Sequence, residues 1–245
     1  MPREALPWTY VPVWMWLSVP PVVLAGAVLA APGLARPAMQ ERLVALVGCI
    51  VFPIIYVVGT GATLYDAIRH LLFVIPPLAV VASAGWMLAL DRAPRRVRML
   101  MAALLVIGVA EPLAFQWRNY PNQVVYIQPL AGGPAAAFSR YDLDYWGNCM
   151  LQSMERLARQ HPQERVRVTG WPLLVLQMNR SRFPTLEVVD GAAAYSIELV
   201  RGRRGHVLRL TSMPDIVDRV TTADGAVLCV TRASATPLPQ TVLGN

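Results

Sequence analysis

The stretch TLYDAIRHLLFVIPPLAVVASAGWMLAL, Thr63–Leu90, sets four polar side chains, Tyr65, Asp66, Arg69 and His70, just before twenty residues without a charge. A helix needs about 20 predominantly apolar residues to cross a bilayer core, so Leu71–Leu90 reads as a membrane span. The rest of the chain supports that reading. Of its 245 residues 55% are hydrophobic and only 15% charged, where a soluble domain carries about a quarter.

Three further runs have span character: about Val11–Leu34, interrupted by Pro20-Pro21; Leu43 to about Ala62, containing Pro53; and Met99–Phe115, ending on Glu111-Pro112. The Leu71–Leu90 run holds Pro76-Pro77. Proline inside a span is tolerated where neighbouring helices satisfy the freed backbone groups, which points to a packed bundle. From Trp117 onward charge returns, with 14 Arg against 10 Asp plus Glu. The expected fold is an α-helical membrane bundle of about four spans, residues 1–116, then a small extracytoplasmic α/β domain, 117–235, and a polar tail, 236–245.

The net charge of +7 comes from arginine alone, because the sequence has no lysine. No nucleic-acid-binding motif accompanies it. The densest basic run, DRAPRRVRM, lies between two apolar segments and reads as a topology signal, since short cytoplasmic loops collect arginine. That places the Tyr65–His70 cluster and everything after Phe115 outside the cytoplasm. The first span then starts outside with no signal peptide of the usual form, so the chain is expected to be the tail of a larger polytopic protein, the alternative being a first span that inserts with its N-terminus outside.

The polar cluster, read as the outer end of a helix, pairs Tyr65 with Arg69 and Asp66 with His70 at four-residue spacing. One reading is an interfacial anchor, with Tyr and Arg snorkelling to the headgroups. The other is a binding site in which Arg69, Tyr65 and His70 hold a lipid-linked phosphate, because a guanidinium matches phosphate oxygens in a fork. Asp66 beside Arg69 should stay ionised and be a weak base. Glu111, near the outer end of its span, is read as a functional group or an interfacial cap.

In the polar half, QVVYIQPL, RVRVTG, PLLVLQM, TLEVVD, HVLRLT and AVLCVTRA read as strands, with NCMLQSMERLARQ and MPDIVDRV as helices. Asn148 is the expected N-cap of the first helix. Alternation of the two suggests a mainly parallel sheet. In YDLDYWG, Asp142 and Asp144 fall on opposite faces of an extended chain. Either Tyr141, Tyr145 and Trp146 pack while the aspartates pair with Arg140 or Arg118, or the loop lines an acceptor groove with aromatic rings stacked on sugar. His161 and His206 are isolated, and VRGRRGHV reads as a solvated turn. No metal-ligand spacing exists among the cysteines. Cys149 and Cys229 are read as buried thiols, with a bridge the alternative in an oxidising compartment.

YDAIRHLLFVIPPL resembles the stretch in membrane glycosyltransferases of the GT-C type where a tyrosine-to-"RH" element opens a late span. LPWTYVPVWMWLSVPP is similar to the "PWHY…P" element before another late span. YPNQVVYIQPLAGGPAAAFSRYDLDYWG resembles the post-membrane segment of bacterial members, which ends on "DYWG". Together these run from Leu6 to Gly147.

The resemblance implies transfer of a sugar from a polyprenyl-phosphate carrier to an envelope acceptor, as in protein mannosyltransferases and aminoarabinose transferases. It implies a bacterial cytoplasmic membrane with the polar domain periplasmic or extracellular, and membrane lipid and the polyprenyl-phosphate-linked sugar as partners. Tyr65, Arg69 and His70 carry over as the side facing the carrier phosphate. The family's acidic residue of the first external loop, a general base or metal partner, has no counterpart here, so the chain is expected to be inactive alone. No cofactor is evident, and a divalent metal belongs at most to the full-length enzyme. The other function class is a non-catalytic, membrane-anchored scaffold or glycan-recognition module.

Overall fold

The computed structural model describes residues 7–62, 64, 66–202 and 204–233. The chain divides into two compact units, one of residues up to 115 plus 127–131, the other of 116–126 plus 132 onward.

Three helical stretches of the described chain are long and apolar enough to cross a membrane: Pro37–Thr60, Arg69–Arg92 and Arg95–Arg118. This is the composition of a membrane protein. The first expected span is not a single helix. Helices α1 (Tyr10–Ser18) and α2 (Pro21–Leu29) meet at a 109° bend. Val19 is extended (φ −89°, ψ 127°) and so is Pro20 (ψ 141°). A residue before proline is pushed out of the helical region, and two prolines in succession supply no N–H to continue α1. Two carbonyls at the end of α1 find another partner: Gln128 donates its backbone N–H to Leu17 O at 2.9 Å and its side-chain N–H to Trp16 O.

α2 crosses α4 (Ile75–Arg92) at glycine contact. A Cβ on Gly85 would lie 1.9 Å from Gly26 O and 2.6 Å from Ala30 N, so no larger side chain fits there. Trp86 Nε1 donates to Val22 O at 2.8 Å across the same crossing. Small residues are how helices approach closely where lipid gives no hydrophobic drive. Pro76 and Pro77 stand in the first turn of α4, where a missing N–H costs nothing; they do not interrupt the span.

α3 (Pro37–Thr60) carries Pro53 and ends on Gly61 at φ +60°, with Ala62 N–H on Val57 O and Gly61 N–H on Val58 O. That is a Schellman cap, which needs the left-handed residue glycine supplies. Phe52, Ile55 and Tyr56 of α3 are exposed, as are Val106, Ile107 and Leu113 of α5 (Arg95–Arg118), which has no buried residue. α3 packs one side on α4 through Leu43, Leu46 and Ile50, and Gly108 of α5 lies against Val22 of α2; the apolar outer faces of α3 and α5 suit lipid.

The second unit holds a five-stranded sheet, β1 (Val166–Trp171), β2 (Leu186–Val188), β3 (Tyr195–Leu199), β4 (Ile216–Thr221) and β5 (Val227–Ala233), in the order β2-β1-β3-β5-β4. The first three strands run parallel, while β5 is antiparallel to β3 and β4. The sheet is thus mixed, not mainly parallel. A short α6 (Gly133–Ala137) precedes α7 (Asn148–Gln160), which buries Met150, Met154 and Leu157. Val207 and Leu210 of α9 (Arg204–Thr211) pack on Val200 and Val230.

Four elements differ from expectation. PLLVLQM is helix α8 (Leu173–Asn179) and HVLRLT falls in α9, while MPDIVDRV supplies strand β4. QVVYIQPL is a pair of 3-10 turns joined by coil. The turn VRGRRGHV in fact opens α9. Cys149 and Cys229 are bonded to each other across 80 residues of sequence, not free; only Cys49 is a free thiol.

Candidate functional site

The polar mouth of α4 is not helical where a helix was expected. Asp66 and Ala67 have φ of 59° and 63°, a left-handed conformation rare for residues with a Cβ, though aspartate tolerates it better than alanine. The 3-10 turn Arg69–Val74 follows and leads into α4. Asp66 pairs with Arg69, one of the two partners the sequence offered it. Arg69 Nη1 lies 3.0 Å from Asp66 Oδ2, with the Asp66 side chain 9% and the Arg69 side chain 27% exposed. The Arg69 side chain is thus more accessible than that of its carboxylate partner. His70 is half-buried one residue on. Tyr65, the third expected phosphate ligand, lies outside the described residues.

A shallow groove opens between the start of α1 and the end of α3, lined by Trp8, Tyr10, Val11, Val57, Val58 and Leu64 among others. Val11, Val57 and Leu64 also pack with Leu71 and Val74. Groove and polar mouth thus share one apolar floor, and Leu64 stands two residues before Asp66. Chemically the mouth is an ion pair at the head of a membrane-length helix whose first residues, Leu71 and Val74, pack with residues of the groove.

The YDLDYWG loop belongs to the second unit. Its two aspartates are engaged, but not with Arg140 or Arg118. Asp142 pairs with Arg201 Nε at 3.0 Å and accepts the Gly202 N–H at 2.9 Å. Asp144, 3% exposed, accepts the N–H groups of Gly147, Asn148 and Cys149 at 2.9, 3.2 and 2.8 Å. Asn148 is accordingly the first helical residue, and Asp144 supplies the cap from outside. Burial pushes the Asp144 carboxyl above its ordinary value, and the backbone N–H bonds offset part of that. Tyr141 and Tyr145 are half-buried and Trp146 is exposed, with the Tyr145 and Trp146 ring centroids 5.6 Å apart.

Two features of the second unit carry no sequence signal. Glu198, 4% exposed on β3, accepts a hydrogen bond from Ser196 and faces Arg232. Burial raises its carboxyl, against the Ser196 bond and the Arg232 charge. Arg232 in turn bonds Asp215 through Nε at 2.9 Å and Nη2 at 2.6 Å, and that contact lowers the Asp215 carboxyl. Among the described residues no group of three or more His, Cys, Asp or Glu side chains could hold a metal ion. His161 contacts the Tyr195 hydroxyl at 3.2 Å. In comparisons with protein-family models, curated proteins and solved structures, nothing matches this chain.

Proposed function

We propose that the chain is the carrier-binding part of a GT-C-type membrane glycosyltransferase, which moves a sugar from a polyprenyl-phosphate carrier to an envelope acceptor. The observation that carries this reading is the Arg69–Asp66 pair at the head of a membrane-length helix whose Leu71 and Val74 pack with Val11 and Val57 of the groove. In such a transfer an acceptor oxygen attacks the anomeric carbon. The bond from that carbon to the carrier phosphate oxygen breaks, and its electron pair leaves on the phosphate. Arg69 would hold that phosphate and neutralise the growing charge, with Tyr65 and His70 alongside. The groove would take the first part of the isoprenoid chain. The acceptor's proton is left to another group.

The membrane is read as the bacterial cytoplasmic one, with the α/β unit on its outer side. Arg92 at the end of α4 and Arg95, Arg96 and Arg98 at the start of α5 support that sense of insertion. The Cys149–Cys229 bond supports it independently, because disulfides persist in oxidising compartments.

The test is binding of polyprenyl phosphate to the full chain in lipid nanodiscs. Arg69→Ala should weaken it roughly 10- to 100-fold, the worth of hydrogen bonds to a charged group, and Arg69→Lys should recover part of the loss. Equal affinity in wild type and Arg69→Ala, or equal binding of the unphosphorylated polyprenol, would remove the carrier site. A non-catalytic glycan module would then be the better description.

A further inference from the structure

We infer that the surface formed by Trp146, Leu174 and Met178, flanked by Arg180 and Arg182, is a docking face for an anionic lipid surface. Leu174 and Met178 are four apart on α8 and share one face of it. They are 64% and 74% exposed, and Trp146 is 55% exposed. The loop bearing Trp146 lies against the same helix, since a Cβ on its neighbour Gly147 would sit 3.4 Å from both methyls of Val175. α8 anchors its opposite side through Leu176, which is fully buried. The helix therefore holds a rigid base and presents a tryptophan, a leucine and a methionine outward. The 3-10 turn that follows, Arg180–Arg182, adds two exposed arginines and no acid.

Three arguments choose lipid over other occupants. Tryptophan with aliphatic neighbours and a basic rim is the composition of a face that sits at the boundary between headgroups and acyl chains. Three side chains offer far less than the roughly 1,000 Å² a stable protein interface needs, so a second copy is poorly served. The unit also follows a membrane-length helix directly in the chain: α5 runs unbroken to Arg118, and the unit begins at Gln116. A weak face held at a membrane by its own chain gains a high effective concentration. The inference requires only that the chain be embedded in a membrane, and stands apart from carrier binding.

The experiment uses the full chain with Cys49→Ser and a spin label on Met178→Cys, the Cys149–Cys229 bond left intact. It is reconstituted into phosphatidylcholine vesicles and into vesicles of phosphatidylcholine with phosphatidylglycerol. In the mixed vesicles the label should be reached by oxygen and shielded from a water-soluble nickel relaxant, and added salt should reverse this. Arg180→Gln and Arg182→Gln should each reduce the docked-to-undocked ratio roughly 5-fold, the worth of one basic residue near an anionic surface. An unchanged thermal transition and an intact disulfide in those variants show that the unit is still folded. A label bathed in water on both vesicle types overturns the proposal. So does dipolar broadening between labels on two copies, which would mark a self-association face, or shielding only on addition of a soluble oligosaccharide, which would mark a glycan site.

Discussion

The backbone N–H of Cys149 donates to Asp144 Oδ2 at 2.8 Å, while the Cys149 sulfur is bonded to Cys229 on β5. One residue thus ties the start of α7 to its cap and to the sheet. The first N–H groups of a helix have no partner within it, and here they are buried. Asp144→Ala should therefore cost more than loss of an ordinary cap, about 2–3 kcal/mol. Asp144→Asn, which keeps one acceptor oxygen, should cost less. Thermal unfolding of the full chain in detergent reads both. Equal stability of wild type and Asp144→Ala would show that solvent or another group caps α7.

The disulfide closes a loop across 80 residues of sequence, which in the chain-entropy account stabilises by about 4 kcal/mol. Cys149→Ser with Cys229→Ser should lower the transition of the second unit accordingly. The same bond makes a claim about compartment. Protein drawn from cells and denatured without reductant should offer one thiol to a maleimide, Cys49, and three after reduction. Three reactive thiols before reduction would place the unit in a reducing compartment and reverse the insertion proposed above.

Glu198 and Asp215, both facing Arg232, give stability opposite pH slopes, because burial dominates at the first and the Arg232 hydrogen bond at the second. The Glu198 carboxyl is raised, so the folded state binds more protons than the unfolded, and stability falls as pH climbs from about 4 through its folded pKa. Asp144 contributes in the same sense. The Asp215 carboxyl is lowered, so its contribution is complete above about pH 4 and is lost as pH falls through its folded pKa. Stability should peak in mild acid. Glu198→Gln keeps a hydrogen-bonding oxygen for Ser196 and removes the buried charge, and should flatten the decline toward neutral pH while leaving the acid side unchanged. Circular-dichroism melts across the pH range check this. An unaltered slope in Glu198→Gln assigns the decline to Asp144 or elsewhere.

What the sequence disclosed followed from composition and long periodicity. Twenty uncharged residues after His70 can hardly be anything but a membrane-length helix, and Met150, Met154 and Leu157 at helical spacing marked α7. Short apolar runs misled because they lack a period. PLLVLQM and HVLRLT could alternate or wind, and their Leu, Met and Gln favour helix, while Ile216, Val217 and Val220 suit a strand edge better than a turn of helix. Pro20-Pro21 was visible but its outcome was not, because a kink and a 109° bend differ only in what catches the freed carbonyls. That partner, Gln128, is more than a hundred residues away. The left-handed Asp66 and Ala67 gave no signal, since neither is glycine, although the Asp66–Arg69 pair itself was legible from the nearness of the two residues in sequence.

Gly26 and Gly85 are both needed where α2 crosses α4, whereas Gly48 and Gly59 of α3 face open space. Gly85→Ala puts a methyl onto the Gly26 carbonyl and must push the helices apart. Gly48→Ala meets nothing and improves helix propensity by up to about 1 kcal/mol. In detergent, Gly85→Ala should lower the transition of the helical unit and expose Trp86, with a red-shifted emission, while Gly48→Ala matches or exceeds wild type. Equal behaviour of the two variants would mean the α2–α4 crossing is not held at glycine contact in the membrane.

Asp66 is the means of testing whether charge or shape governs the mouth of α4. Asparagine tolerates the left-handed backbone as aspartate does, so Asp66→Asn should leave the turn at φ 59° in place while removing the carboxylate that now faces Arg69. If Arg69 attracts phosphate by its charge, the variant should bind polyprenyl phosphate more tightly, by about 2- to 5-fold, in line with the modest worth of a partly exposed pair. The gain should vanish when Arg69→Ala is added. Weaker binding in Asp66→Asn would instead show that the carboxylate aims the guanidinium, because a loss on removing negative charge cannot come from electrostatics. No change in either variant would detach the Asp66–Arg69 pair from the carrier altogether.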